Sequence, residues 1–230
     1  MKEFVAGSAY FGVLLSLGSY YIGTRLQKRF LRAIFNPLLI SIVLTVAALL
    51  ILDVDYQTYN SGAKYLNYLL TPATVCLAVP LYEQLQLLKK NYRAILLGIL
   101  SGVLTSLSCV LLLALLFGLN HAEYVTLLPK SITTAIGMVM VEEMGGYPSI
   151  AAAVIIITGV LGNIFAEGFL KLLRIHDPIA KGVAIGTSSH AIGTSRAMLI
   201  GDVEGAMSSL SIAVAGLVTV AGASVFAQFI

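Results

Sequence analysis

The chain has 230 residues, 58% of them hydrophobic and only 11% charged, with a net charge of +3. With a mean hydropathy of +0.94, this composition excludes an ordinary soluble domain and indicates an all-α, polytopic membrane protein. The few basic residues stand in short clusters beside apolar runs, the pattern of cytoplasmic loops and not of a nucleic-acid footprint.

A span needs about 20 apolar residues, which caps the chain at about eight to nine segments; about seven to eight are expected, some of them interrupted or re-entrant. The first covers residues 4–23 and is followed at once by Arg25, Lys28, Arg29 and Arg32. A charge-poor start with a basic end is the reverse of a secretory signal peptide, so this segment is expected to remain, with the N-terminus outside. Asn36-Pro37 opens a second segment, 37–52, and Asp53 and Asp55 close it in an acidic loop. The third, 63–87, carries breaks at Pro72 and Pro80, and Lys89, Lys90 and Arg93 follow it. The fourth, 94–119, carries Gly98 and Gly102 at a spacing suited to close helix contact.

Residues 124–146 contain a polar break, Pro129–Thr134, and end in the glycine turn Gly145-Gly146. A full crossing would place the basic end of segment 150–170 (Lys171, Arg174, Lys181) outside. A hairpin that enters and leaves by the outer face returns that end to the cytoplasm, and this is the expected arrangement. Residues 181–202 read as a second interrupted element entering from the cytoplasmic side, with a break at Gly186, and 205–228 as the last segment. Residues 1–60 are expected to form a scaffold and 61–230 the solute-handling part of one membrane domain.

The two polar windows carry the candidate site. In the first, Pro129 ends a half-helix, Lys130 adds a cation, and Ser131, Thr133 and Thr134 offer caps for the next. A half-helix N-terminus inside a membrane favours an anion. In the second, Gly186, Thr187, Ser188, Ser189, Gly193 and Thr194 offer hydroxyls and close backbone approach, His190 can donate or accept, and Arg196 presents a fork matched to a carboxylate. The blander readings are that His190 bonds a neighbouring carbonyl, that the two cations are neutralised by acidic residues or snorkel, and that the glycines serve helix contact. The expectation is that the two windows meet and cradle a small carboxylate between Lys130 and Arg196. No nucleophile–base arrangement, metal-ligand spacing or phosphate loop is present in the sequence, so neither enzymatic activity nor a cofactor is expected.

Leu128-Pro129-Lys130-Ser131-Ile132-Thr133-Thr134, Gly145-Gly146-Tyr147-Pro148-Ser149, Gly186-Thr187-Ser188-Ser189-His190-Ala191-Ile192-Gly193-Thr194-Ser195-Arg196-Ala197 and Glu204-Gly205-Ala206-Met207-Ser208-Ser209-Leu210 together resemble the LrgB/CidB family. Asn36-Pro37-Leu38 and Pro80-Leu81-Tyr82-Glu83-Gln84 also fit its pattern. The chain departs from that pattern at Ala135, where proline is common, and at Leu199, where an acidic residue is common, so one charge partner of Arg196 is missing. The resemblance implies a bacterial inner-membrane protein linked to control of murein hydrolase export and lysis (antiholin-like), acting with a smaller LrgA/CidA-type membrane protein. It also implies kinship with a plastid glycolate and glycerate carrier and with proteins that take part in pyruvate movement. The leading expectation is therefore a homo-oligomeric transporter of small monocarboxylates. The alternative is a non-transporting, antiholin-like regulator.

Overall fold

The computed structural model describes residues 10–30 and 35–230, and among the described residues there is no β-strand. Residues 4–9 of the first expected segment, and Arg32 of its basic tail, lie outside the described residues. The chain forms two compact units, divided after Cys76.

The first unit contains α1 (Phe11–Phe30), α2 (Pro37–Leu52), α3 (Tyr56–Asn67) and α4 (Leu70–Cys76). Asn36 starts α2, its side chain accepting from the amides of Leu38 and Leu39, with Pro37 in the first turn. Asp55 caps α3 in the same way through Thr58, whose hydroxyl and amide hold the Asp55 carboxyl below its ordinary pKa. Gly12 packs against the backbone of Tyr59 and Ala63, which lets α1 and α3 approach closely, and Ser16 bonds Tyr59 across the same contact.

The second unit contains α5 (Ala78–Glu83), α6 (Leu85–Phe117), α7 (His121–Leu127), α8 (Thr134–Glu143), α9 (Pro148–Leu172), α10 (Pro178–Ile200) and α11 (Asp202–Phe226). Among the described residues three helices, α6, α9 and α11, are long and apolar enough to cross a membrane; α2 is a shorter apolar helix. The seven to eight expected segments are thus not matched one for one among the described residues. The expected third segment, 63–87, is not one broken span: it is divided among α3, α4 and α5 before α6 begins. Pro72 and Pro80 each fall in the first turn of a short helix, where a missing N–H costs nothing.

The shape of the second unit is set by two helical hairpins. The first is α7 and α8 with the break between them. Its two ends lie side by side: the Tyr147 amide donates to Thr126 Oγ1 at 2.8 Å, and Gly146 packs on Val125 and Thr126. The two ends of the segment therefore lie together at one end of the unit, and Glu142 and Glu143 are exposed there. Gly145, at φ +77°, makes the turn that a side chain would strain.

The second hairpin is α10. Its first leg starts at the Asp177 cap and Pro178 and stays helical through Gly186, so the expected break at Gly186 is not there. The reversal comes at His190, with φ 42° and ψ −144°. Gly186 instead lies flush against the backbone of Ser208 on α11, where a Cβ would overlap it. The returning leg runs alongside α9: Asn163 donates to the carbonyl of Ile192, and Arg196 pairs with Glu167. Near its end, Lys181 meets Glu204 at 3.6 Å, which brings the start of α10 beside the start of α11. With legs of half the length a bilayer requires, α10 does not cross one. The α7–α8 hairpin opens beside the end of α11, where Tyr124 OH donates to the carbonyl of Phe226, and α10 opens beside its beginning. The two hairpins thus enter the unit from opposite ends.

Candidate functional site

The tip of the α7–α8 hairpin is two successive tight turns, with Lys130 N donating to Leu127 O at 3.2 Å and Ile132 N to Pro129 O at 3.1 Å. Pro129, without an N–H, forces the first. The turns aim Lys130 inward. Its Nζ donates to Ser131 Oγ at 3.0 Å, and Ser131 Oγ lies 3.3 Å from Ser106 Oγ on α6. Among the described residues Lys130 pairs with no carboxylate, although it is only partly exposed. A charged lysine so placed in an apolar unit is costly, and water or an anion in an adjoining cavity would offset that cost.

Two cavities converge on it. The first, about 610 Å³, lies between α6 and the first leg of α10 and is lined by Thr105, Ser106, Cys109, Lys130, Thr187 and Ser188 among others. The second, about 490 Å³, lies on the other side of that leg, against α9. Lys130, Ala184 and Ser188 belong to both. Both run from the tip of the first hairpin toward the open end of the second, the first to Asp177 and the second to Leu173 and Ile175. On the far side of Lys130 the unit is closed by Tyr124, Val125, Leu128 and Pro129, all essentially inaccessible.

Thr187 is 6% exposed, and among the described residues its Oγ1 has no hydrogen-bond partner. A buried hydroxyl left unpaired costs about 1–3 kcal/mol, which a polar ligand in the adjoining cavity would relieve. Its methyl face rests on Gly102, and Val183, one turn earlier, rests on Gly98. The two glycines of α6 therefore serve helix contact, and through it they hold Thr187 at the cavity wall. Ser188 donates to the carbonyl of Ala184 at 2.8 Å and lies 3.0 Å from Ser189 Oγ.

The expected site residues thus separate into two groups. Lys130, Ser131, Thr187, Ser188 and Ser189 line the cavities. The others do not. Thr133 occupies the cap position of α8, but its hydroxyl makes no capping bond, and neither it nor Thr134 lines either cavity. His190 is buried with Nε2 2.9 Å from Ile155 O, and Thr194 bonds His190 O at 2.9 Å and Ser208 at 2.7 Å. Gly193 admits the close contact of the two α10 legs at Ser189 and Ile185. Arg196 lines neither cavity; its guanidinium lies 2.5 Å from Glu167. The expected cradle between Lys130 and Arg196 is therefore replaced by one cation, Lys130, surrounded by hydroxyls. Glu167 supplies the acidic partner that the sequence lacks at Leu199.

Sequence reasoning missed the contribution of α6. Its signal was legible: Gly98, Gly102, Thr105, Ser106 and Cys109 form a small and polar stripe at helical spacing in an otherwise leucine-rich helix.

Residues 16–229 match the LrgB-like family. The chain belongs to that family. The protein called antiholin-like protein LrgB in Bacillus cereus (strain B4264) is 39% identical over 225 residues, 96% of each chain. The protein of the same name in Bacillus anthracis (strain A0248) is similar to the same extent. No solved structure matches. The LrgB-like match spans both hairpins.

Proposed function

We propose that this chain is an antiholin-like protein of the bacterial inner membrane whose interior holds a small-carboxylate site at Lys130. The antiholin-like role is carried by the end-to-end similarity to relatives of that name. On this reading the chain restrains a lytic partner of the LrgA/CidA type, forms homo-oligomers, needs no cofactor and performs no bond chemistry. Its N-terminus lies outside, and the basic end near Lys171 and Arg174 faces the cytoplasm. Cysteines placed at Glu143 and His176 are then labelled from opposite sides of the membrane.

A specific observation favours a second, transporting reading. Lys130, without a carboxylate partner, shares a cavity with the unpaired hydroxyl of Thr187. One ammonium among hydroxyls fits a monocarboxylate such as pyruvate, glycolate or glycerate better than a dicarboxylate, which would bring a second, unbalanced charge. Discontinuous helices that meet inside a membrane unit are the usual setting for such a site. Alternating exposure of the site then follows from movement of the hairpin tips. Uptake of labelled pyruvate, glycolate and lactate by proteoliposomes, set beside lysis phenotypes in cells, separates the two readings. Transport predicts that Lys130→Gln abolishes uptake and alters lysis; regulation without transport predicts no uptake and lysis control that survives Lys130→Gln.

A further inference from the structure

The two cavities that meet at Lys130 differ in chemistry. The one against α6 carries Thr105, Ser106, Cys109 and Thr187. The one against α9 is an apolar trough. From α9 and its C-cap it takes a stripe of residues from Thr158 to Leu173 on one face, including Leu161, Phe165 and Phe169, and from α10 it takes Ala184 and Ile185. Fifteen residue-to-residue steps at helical rise set its length at about 22 Å. Among the described residues its only charged lining residue is Lys130 at one end, beside the hydroxyls of Ser188 and Ser189. A long apolar trough of about 490 Å³ with a single cation at its end has the charge pattern of an amphipathic monoanion, not of a small polar acid.

We propose that the α9 trough binds a medium-chain alkanoate, with its carboxylate at Lys130 and its tail along Leu161, Phe165 and Phe169. The inference rests on the reading of Lys130 as an anion contact and extends it: the same ammonium serves a small acid from the α6 side and a tailed acid from the α9 side, so the two compete. The tail supplies the affinity, since each buried methylene is worth about fourfold in binding, equivalent to ~0.8 kcal/mol.

The test is photolabelling of the full chain in lipid nanodiscs with decanoate carrying a mid-chain diazirine. The expected label falls on peptides covering 158–173 and 184–189. Protection should strengthen about fourfold per methylene from butanoate to decanoate. Decanol, which enters the bilayer equally well but has no carboxylate, should protect at least tenfold less. Pyruvate should also protect, since it takes the ammonium. Lys130→Gln should remove the advantage of decanoate over decanol. Phe165→Ala, at an exposed trough residue, should flatten the chain-length dependence and leave protection by pyruvate unchanged. Protection by pyruvate and butanoate with no gain from longer tails would overturn the trough and leave the Lys130 contact standing. Labelling that follows tail length but ignores Lys130→Gln would overturn both.

Discussion

His190 Nε2 donates to the carbonyl of Ile155 across 2.9 Å and fastens the tip of the α10 hairpin to α9. The bond holds a non-glycine residue at φ 42°, ψ −144°, a conformation that costs about 1–3 kcal/mol and persists only where its surroundings impose it. His190→Ala removes the bond, strands a buried carbonyl and keeps the strained backbone. It is expected to lose about 1–3 kcal/mol of stability. His190→Gly loses the same bond but relieves the backbone, so it should be the more stable of the two variants. Thermal unfolding in detergent checks the order; an alanine variant as stable as wild type would refute the fastening role.

The glycines around the hairpin are predicted to fall into two classes. A Cβ on Gly186 would overlap the Ser208 backbone, and one on Gly162 would overlap the Ser189 side chain. Alanine at either position should cost about 1–3 kcal/mol through overpacking. Gly168 has nothing within 4 Å of its Cβ position. Gly168→Ala should be neutral or stabilising by up to about 1 kcal/mol, from helix propensity alone. Melting temperatures of the three variants test the ranking.

Cys109 is an exposed thiol in the same cavity as Lys130, and the other cysteine, Cys76, lies in the first unit. In a Cys76→Ser background an anionic thiosulfonate should label Cys109 faster than a cationic one, because the ammonium attracts it. Lys130→Gln should reverse that preference. Pyruvate should slow the reaction in wild type. Rates taken by mass spectrometry decide this, and equal rates for both reagents would place Lys130 outside the thiol's reach.

Arg196 is expected to hold the returning α10 leg through Glu167 and not to bind solute. Both side chains are about one-third exposed, so the pair is worth only about 0.2–1 kcal/mol. Arg196→Gln and Glu167→Gln should each lower the melting temperature slightly, and the double variant should lose less than the sum. Affinity for pyruvate should stay within about twofold in all three, a change of less than half a kcal/mol. A tenfold loss confined to Arg196→Gln would return the arginine to the site.

Much of this was legible in sequence because polar residues in an apolar chain need partners. Lys130 and the Thr187–Ser189 run marked both hairpin tips, and the basic residues after 170 made the first hairpin preferable to a span. Three features were hidden. The reversal at His190 depends on a tertiary bond to Ile155, which no local pattern reveals, while Gly186, an apparent break, is a contact glycine on α11. Arg196 found Glu167 on α9, a partner distant in sequence. Pro72 and Pro80 looked like breaks within one span, but each lies in the first turn of its own helix.

The central claim is that the ammonium of Lys130 holds a carboxylate. Equilibrium binding of pyruvate to the purified full chain, wild type against Lys130→Gln, tests it most directly. Loss of a charge-assisted hydrogen bond worth about 1.5–3 kcal/mol predicts affinity weakened at least tenfold, with no shift in melting temperature large enough to explain it. Equal affinity in the two proteins would contradict the account.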